Sequence, residues 1–232
     1  ENIEEKIFCC DIIDLGAEST YPGTDPISAE EEIRLLEPAL KFFRKFNKPI
    51  SVDTYKSQTA EFAINQGADI INDISGGILD KNMFNIISQY NVSYVMGHIQ
   101  NTPKNMQENP IYIDIISEIS EHFQSGITTL TEKGFPLKNI ILDPCICFGK
   151  NTRHNIEILK NIKSFKKFSL PLLMGTSRKS FHRELAHIEN DRDMLLATLT
   201  TNIYSVIQGA DIIRVHDTKE FYLIKELLIN LL

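Results

Sequence analysis

The chain is predicted to be an α/β protein, a (β/α)8 barrel whose first strand and loop lie upstream of Glu1. Short apolar segments alternate with helical patterns along the whole chain, and the alternation begins with a helix. Seven apolar segments are present, whereas a closed barrel needs eight. Near-continuous apolar strands between helices are typical of parallel strands covered on their outer side. A doubly wound open sheet stays the alternative, because it needs no further strand.

The elements can be placed from their apolar periodicity and their end signals. Strands are predicted at 11–16, 49–54, 69–74, 93–98, 139–144, 170–175 and 210–217. Helices are predicted at 28–47, 56–67, 79–91, 111–133, 152–168, 191–208 and 218–231, after an opening helical pattern around Ile3, Ile7 and Phe8. Ser28 caps its helix, Thr54 or Ser57 opens the next, and Asn151 or Thr152 opens the one at 152. No repeat or linker divides residues 1–232, so they form one predicted domain.

Composition and charge exclude several classes of protein. The net charge of −7 argues against a general nucleic-acid binder, so a local cluster of cations must hold any anionic ligand. No apolar run approaches the roughly 20 residues that span a bilayer, and no signal-peptide pattern opens the chain. The cysteines are the adjacent pair Cys9–Cys10 and the pair Cys145 and Cys147, for which reduced thiols in a cytoplasmic protein are expected.

Polar residues follow every predicted strand, at the end where barrels carry their chemistry. They are Glu18, Ser19 and Thr20; Asp53 and Thr54; Asn72 and Asp73; His98; Asp143; Ser177, Arg178 and Lys179; Arg214, His216 and Asp217. For any one position a structural role is the simpler explanation, as for Asp143, which precedes a proline. Because the pattern recurs at all seven strands, we expect one composite ligand site.

The residue types indicate what this site binds. If Asp53, Asn72 and Asp143 converge, they suit a flat heterocycle with several N–H groups and a carbonyl. A guanidinium such as that of Arg214 can stack on an aromatic ring or bind phosphate, and Arg214 and His216 share one side of the last strand. No Walker loop or dinucleotide fingerprint is present, so nucleotide hydrolysis and a dinucleotide cofactor are poorly supported.

Seven segments together resemble the dihydropteroate synthase family of pterin-binding TIM-barrel enzymes. They are DIIDLGAESTYPG, SVDTYKS, NDISGG, HIQNTPKNMQ, LDPCICFGK, GTSRKSF and RVHD, in family order over nearly the whole chain. The resemblance implies a cytoplasmic transferase of folate biosynthesis and a sulfonamide target. Such an enzyme condenses 6-hydroxymethyl-7,8-dihydropterin pyrophosphate with p-aminobenzoate, giving 7,8-dihydropteroate and pyrophosphate by substitution at the pterin methylene. The resemblance also implies Mg²⁺, a homodimer and, in some relatives, an upstream pyrophosphokinase domain in the same chain.

The resemblance assigns roles to individual residues. It implies that the catalytic residues are Asp53, Asp143 and Lys179, and that the pterin is held by Asp53, Asn72, Ile74, Asp143, Gly175, Lys179 and Arg214. It implies that p-aminobenzoate is bordered by Thr20, Phe148 and Ser177. The residues expected to bind pyrophosphate are Thr20, Arg214 and His216. The metal ligand of the family belongs to a motif expected upstream of Glu1. Arg178 is expected to turn outward and brace its loop.

This sequence also departs from the family pattern in three segments. Tyr21 stands in place of an arginine, Gly97-His98-Ile99 in place of a Met-His-Met pattern, and Cys145 and Cys147 in place of glycines. Two rival hypotheses therefore stay open. One is a methyltetrahydrofolate-dependent methyltransferase of the same barrel family, which needs no pyrophosphate site. The other is a degenerate, non-catalytic pterin-binding barrel that serves as a subunit.

Overall fold

Seven short parallel strands follow one another in space in the order in which the chain forms them. The computed structural model describes residues 3–231, so residues 1, 2 and 232 of the predicted domain lie outside it. The strands are β1 (Ile13–Gly16), β2 (Ile50–Asp53), β3 (Ile70–Asp73), β4 (Ser93–Gly97), β5 (Ile140–Asp143), β6 (Leu173–Met174) and β7 (Ile212–Ile213). Strands β1 to β5 form one sheet, β6 pairs with β7, and a parallel bridge between Leu142 and Leu172 joins the two. This sequential order confirms the barrel and excludes the doubly wound alternative, whose strand order reverses.

Helices lie between successive strands, and one further helix lies at each end of the described chain. They are α1 (Ile3–Phe8), α2 (Ala29–Phe43), α3 (Ser57–Asn65), α4 (Met83–Ile87), α5 (Ile115–Glu132), α6 (Thr152–Lys160), α7 (Ile162–Phe165), α8 (Phe181–Ala186), α9 (Asp191–Ile207) and α10 (Thr218–Leu231). Short 3₁₀ turns lie at Arg44–Phe46, Leu137–Asn139 and Lys166–Phe168. The predicted N-caps at Ser28 and Asn151 are confirmed, since each side chain accepts a hydrogen bond from a backbone N–H in the first turn.

Three helical predictions were wrong. The segment 79–91 is helical only over α4, because the carboxylate of Asp80 is engaged by the backbone N–H groups of Ser57 and Asn82, 2.7 and 2.9 Å away. The same carboxylate satisfies the first turn of α3, so neither Thr54 nor Ser57 caps that helix, and Lys56 at its N-cap makes no side-chain cap bond. The segment 152–168 is broken at Asn161. Helix α8 was not predicted.

Apolar side chains fill the barrel at two levels. The large outer cluster packs helices onto strands and includes Leu36, Ile71 and Phe123, all at most 2% exposed. A smaller cluster inside the barrel takes one residue from each of several strands: Ile70, Val95, Ile141 and Leu173, with Ile12 and Ile212 packed against them. Each fully buried side chain of this size contributes about 1.5–3 kcal/mol. The interior layer therefore forms a firm floor beneath the carboxyl ends of the strands.

Within residues 3–231, strands β1 and β7 do not pair with one another. A cavity of 1070 Å³ lies between them and extends into the barrel, lined by both strands and by α1 and α10. All four cysteines lie in the described part of the chain and are free thiols. None of the helices described there is both long and apolar enough to cross a bilayer.

Candidate active site

A polar layer lies directly above the apolar floor of the barrel. Side chains two positions apart on a strand point to the same face, so the residue that follows each floor position by two also faces inward. Those residues are Asp14, Asn72, Asp143 and Arg214, which follow Ile12, Ile70, Ile141 and Ile212. Asp53 joins the same layer through its bond to Arg214. The structure thus brings the predicted pterin-binding side chains of four strands into one layer.

Arg214 is held between two carboxylates. Its Nε donates to Asp14 Oδ2 at 2.6 Å and its Nη2 donates to Asp53 Oδ2 at 2.7 Å. Burial raises the pKa of Asp53 to about 6, although Arg214 opposes this shift, and the negative charge of Asp14 adds to it. Burial disfavours the charge of Arg214, yet the two carboxylates outweigh it and raise the pKa of the guanidinium. The guanidinium is therefore charged, with its Nη1 group uncommitted to either partner.

Asn72 and Asp143 complete the polar layer, and they differ in their hydrogen bonds. Asp143 Oδ1 accepts a hydrogen bond from the backbone N–H of Cys145 at 2.7 Å. Burial raises the pKa of Asp143, and that hydrogen bond opposes the shift. Asn72 is 4% exposed and lines the cavity, and its amide makes no hydrogen bond to any other part of the described chain. The layer therefore holds a carboxylate engaged by the loop after β5 and an amide free of hydrogen bonds to the described chain.

Lys179 lies against the ring of Phe148. Its ammonium is 4.5 Å from the ring centroid, within the range of a cation–π contact. Burial lowers the pKa of Lys179, while the carboxylate of Asp143 counters the loss of charge. Phe148 packs with Ile74 in a small buried cluster above the polar layer. Gly175 adjoins Arg214, since a Cβ built on it would lie 3.9 Å from Arg214 Cβ.

His216 and Ser177 are bonded to each other. The backbone N–H of His216 donates to Ser177 Oγ at 3.2 Å, and His216 Nδ1 lies 2.9 Å from the same oxygen. Burial lowers the pKa of His216, and Arg214 lowers it further. The Ser177 hydroxyl, 3% exposed, therefore orients His216. Arg178 turns outward and pairs with Asp217 at 2.7 Å, which is the bracing role expected of it.

The loop that carries Thr20 is anchored through Glu18. The Glu18 carboxylate accepts hydrogen bonds from the backbone N–H of Ile27, at 3.1 Å, from the Tyr55 hydroxyl and from the Lys56 ammonium. Lys56 also contacts the buried Glu32 at 3.0 Å. This network fixes the β1–α2 loop against the β2–α3 loop. In this loop Thr20 is partly buried, whereas Tyr21 is 75% exposed.

The departures at Cys145, Cys147 and Gly97 have visible structural consequences. Cys145 and Cys147 have φ values of 52° and 72°, in the left-handed region where glycine is normally preferred. At Gly97, in contrast, only a glycine fits, because a Cβ at this position would lie 2.5 Å from Ile74 Cα. A methionine at this position would require the backbone after β3 to move. The loops around the site therefore follow paths suited to these particular residues.

Two charged residues, the half-buried Asp14 and the buried Lys150, were missed from the sequence. Asp14 lies inside the apolar segment DIIDLG, where a carboxylate is costly unless it has a partner. Lys150, which ends the segment CFGK, is 2% exposed. The sequence pointed to Lys150 less clearly than to Asp14, because a lysine that follows a loop usually lies at the surface.

The site combines three carboxylates, from Asp14, Asp53 and Asp143, with the cations of Arg214 and Lys179. Fixed acceptors and an amide can bind the edge of a planar heterocycle, and the guanidinium can bind an anion. Such preorganised charge suits a reaction in which cationic and anionic groups separate. Within residues 3–231 no group of three His, Cys, Asp or Glu side chains could hold a metal ion.

Sequence and structure comparisons agree with one another. The family profile described as pterin-binding enzyme matches residues 10–216. The dihydropteroate synthase of Escherichia coli K12 is 37% identical over 210 residues, which are 90% of this chain and 74% of that protein. The folic acid synthesis protein fol1 of Pneumocystis carinii is 37% identical over 93% of this chain, which spans only 30% of the length of that relative.

A solved structure shows the same architecture. The crystal structure of the Yersinia pestis dihydropteroate synthase in a sulfonamide drug complex superposes with a TM-score of 0.90 and 31% sequence identity. The match covers 99% of this chain and 84% of the other.

Proposed function

The chain belongs to the dihydropteroate synthase family of pterin-binding barrel enzymes, and from this premise we propose that it joins a pterin pyrophosphate to p-aminobenzoate. The observation that carries the proposal is the convergence of Asp53, Asn72, Asp143 and Arg214 on one polar layer, with Lys179 at its rim. In this reaction the bond between the pterin methylene carbon and the pyrophosphate oxygen breaks. A bond from the arylamine nitrogen to that carbon forms, and one proton leaves the nitrogen for solvent.

In the proposed complex the heterocycle lies on the polar layer. Asp53 and Asp143 accept its N–H groups, and the free Asn72 amide both donates to and accepts from its edge. Arg214 stacks on the ring, because Asp14 and Asp53 fix two corners of the guanidinium. Lys179, Ile74 and Gly175 border the same pocket. As pyrophosphate departs, the carboxylates stabilise the cation that develops on the pterin.

The other two groups enter from the rim. We assign p-aminobenzoate to the space bordered by Thr20, Phe148 and Ser177, and the pyrophosphate to Thr20, Arg214 and His216. The hydrogen bond between Ser177 and His216 supports this assignment, because it brings one residue of each set into contact. Burial lowers the pKa of His216, which favours its role as a neutral hydrogen-bonding group over that of a charge.

We also propose that Mg²⁺ accompanies the pyrophosphate and neutralises part of its charge. The side chains described in residues 3–231 do not form a metal site by themselves, and no step above depends on the ion. A homodimer, a cytoplasmic location and an upstream pyrophosphokinase domain are further parts of the proposal. The matched fungal relative, of which this chain spans 30%, is consistent with a longer protein of that kind.

The decisive experiment measures pyrophosphate release by the full-length protein with both substrates and Mg²⁺. We expect release to depend on p-aminobenzoate and to fall at least about 100-fold in Lys179→Ala, since removal of one preorganised charge costs about 10²–10³ in rate. The control Lys138→Ala removes an exposed lysine and should have no effect. Tight pterin binding without turnover would instead favour the non-catalytic barrel. Methyl transfer from a methylated folate would favour the methyltransferase.

A further inference from the structure

Lys150 is a buried cation that has no carboxylate partner in the described part of the chain. Its ammonium donates to His98 O and Phe148 O, both at 2.9 Å, and lies 3.1 Å from His98 Nδ1. The three N–H groups thus meet three acceptors. His98, 7% exposed, must present a lone pair at Nδ1 to receive this bond, and burial lowers the pKa of its ring, which keeps it neutral.

A buried charge that forms no ion pair is expensive, even though the charge of Asp143 favours the ammonium from a distance, so its location indicates what it does. Lys150 adds a link between two neighbouring segments: the end of β4, through His98, and the loop after β5, through Phe148. Burial lowers the pKa of Lys150 to about 8, so the ammonium is the main form at neutral pH. An apolar residue of similar length would fill the space without the desolvation cost but would leave both carbonyl oxygens unpaired.

The loop that Lys150 holds is conformationally strained. Cys145 and Cys147 have positive φ values, of 52° and 72°, which are unfavourable for any residue except glycine. Strained backbone of this kind persists only where the surroundings fix it. Asp143 fixes the N–H of Cys145 and Asn155 fixes that of Cys147, at 2.7 and 2.8 Å. Gln107 and Tyr112 donate to the carbonyls of Cys147 and Gly149, and Lys150 supplies the restraint at the carbonyl of Phe148.

Phe148 in turn is the platform on which Lys179 lies. The Lys179 ammonium is 4.5 Å from the ring centroid, and it forms no ion pair with any of the described carboxylates. A shift of the Phe148 backbone would therefore displace the surface that locates this ammonium. A continuous series of contacts runs from His98 through Lys150 and Phe148 to Lys179.

We propose that Lys150 is a positioning residue, which fixes the loop after β5 so that the Phe148 ring holds the Lys179 ammonium at the site. Lys150 itself touches neither substrate. The inference rests on the proposed function insofar as Lys179 serves the reaction. Its test therefore includes a measurement that needs no turnover.

That measurement is the NMR signal of the Lys179 ε-CH₂ group in the ligand-free, full-length protein. Protons above the ring of Phe148 are shifted upfield, and the signal can be assigned with Lys179→Arg. We expect Phe148→Leu and Lys150→Met to abolish the upfield shift. The control Lys138→Met, an exposed lysine, should leave it unchanged. Retention of the full shift in folded Lys150→Met would overturn the proposal.

A double-mutant cycle tests the same connection during turnover. We expect Lys150→Met to lower kcat by about tenfold or more, because small misplacements near reacting groups can cost up to about 10²-fold. In the Phe148→Leu background the same change should lower kcat by less than about threefold, because the contact between Phe148 and Lys179 is already lost. Equal losses in both backgrounds would contradict the proposal. If Lys150→Met does not fold, Lys150→Gln replaces it in both experiments with the same expected result, because its shorter side chain has two N–H donors for three acceptors and cannot span His98 and Phe148 in the same way.

The two measurements separate this proposal from the proposed function. If the wild-type protein does not release pyrophosphate, the proposed function fails, while the ring-current shift still decides the role of Lys150. If turnover is normal and the shift persists in the Lys150 variants, only the positioning role fails.

Discussion

Arg214 and Asp14 are 200 residues apart in the chain, yet their side chains are joined by a hydrogen bond of 2.6 Å. The bond connects the last strand with the first and fixes the Nε corner of the guanidinium. Asp53 fixes a second corner from the neighbouring strand. Arg214 is thus oriented by partners from both β1 and β2 before any ligand arrives.

Asp14→Asn should weaken binding of the pterin pyrophosphate by about tenfold or more. Hydrogen bonds to charged groups contribute about 1.5–3 kcal/mol, and the variant loses the ionic one at Nε. Isothermal calorimetry with the full-length protein measures the change. Asp11→Asn is the matched control, because Asp11 is 75% exposed and pairs only at the surface with Lys225. Equal affinities of the Asp14 and Asp11 variants would show that Asp14 does not orient Arg214.

Pterin affinity should fall as the pH drops below about 6. The carboxylate of Asp53 has its pKa raised to about 6 and must be ionised to accept an N–H group. Below that pKa we expect roughly a tenfold loss per pH unit. In Asp14→Asn the midpoint should move to lower pH, because the charge of Asp14 contributes to the raised pKa. A flat affinity between pH 5 and 7 would exclude Asp53 from binding.

The same shift carries a stability consequence of known sign. The pKa of Asp53 is higher in the folded protein, at about 6, than its ordinary value of 3.8. Between those values the folded state holds a proton that the unfolded chain has lost. The contribution of Asp53 to the free energy of unfolding therefore decreases as the pH rises through this window.

Lys56→Met should destabilise the fold by about 3 kcal/mol. Lys56 is 16% exposed and contacts two buried carboxylates, from Glu18 and Glu32, which the variant would leave without their cation. Breaking a buried pair costs about 3–5 kcal/mol. Urea unfolding measures the loss. In the control Lys41→Met, only an exposed helical pair with Glu37 is removed, so we expect about 0.5 kcal/mol or less. Comparable losses in both variants would contradict this view of the network.

Gly97→Ala should lower the free energy of unfolding by about 1–3 kcal/mol. Its Cβ would lie 2.5 Å from Ile74 Cα and 2.6 Å from Asp73 O, and backbone atoms cannot move aside as a flexible side chain can. Gly175→Ala provides the control, since its Cβ would meet only Arg214 Cβ at an ordinary 3.9 Å. The free energies of unfolding of the two variants decide the point. An unperturbed Gly97→Ala protein would mean that the β3 loop adapts freely.

Much of the site could be predicted because polar residues at strand ends carry a local signal. Asp53, Asn72 and Asp143 each follow an apolar strand, and parallel strands bring those ends together. Asp14 and Lys150 were missed because their partners come from distant strands and loops, at Arg214 and His98. No local pattern encodes such pairings. The shortening of the helix predicted at 79–91 has a similar cause, since Asp80 is engaged by the backbone of another loop.

The strict chain order of the strands also determines when the site comes into existence during folding. Each of its polar groups arrives on a different strand, from Asp14 on β1 to Arg214 just after β7. No shorter stretch of chain carries the whole set. Pterin binding therefore indicates that the whole barrel has assembled. A nascent or fragmented barrel can form helices and strand pairs without acquiring affinity for the pterin. Ligand, in return, should selectively stabilise molecules in which the first and last strands have already met.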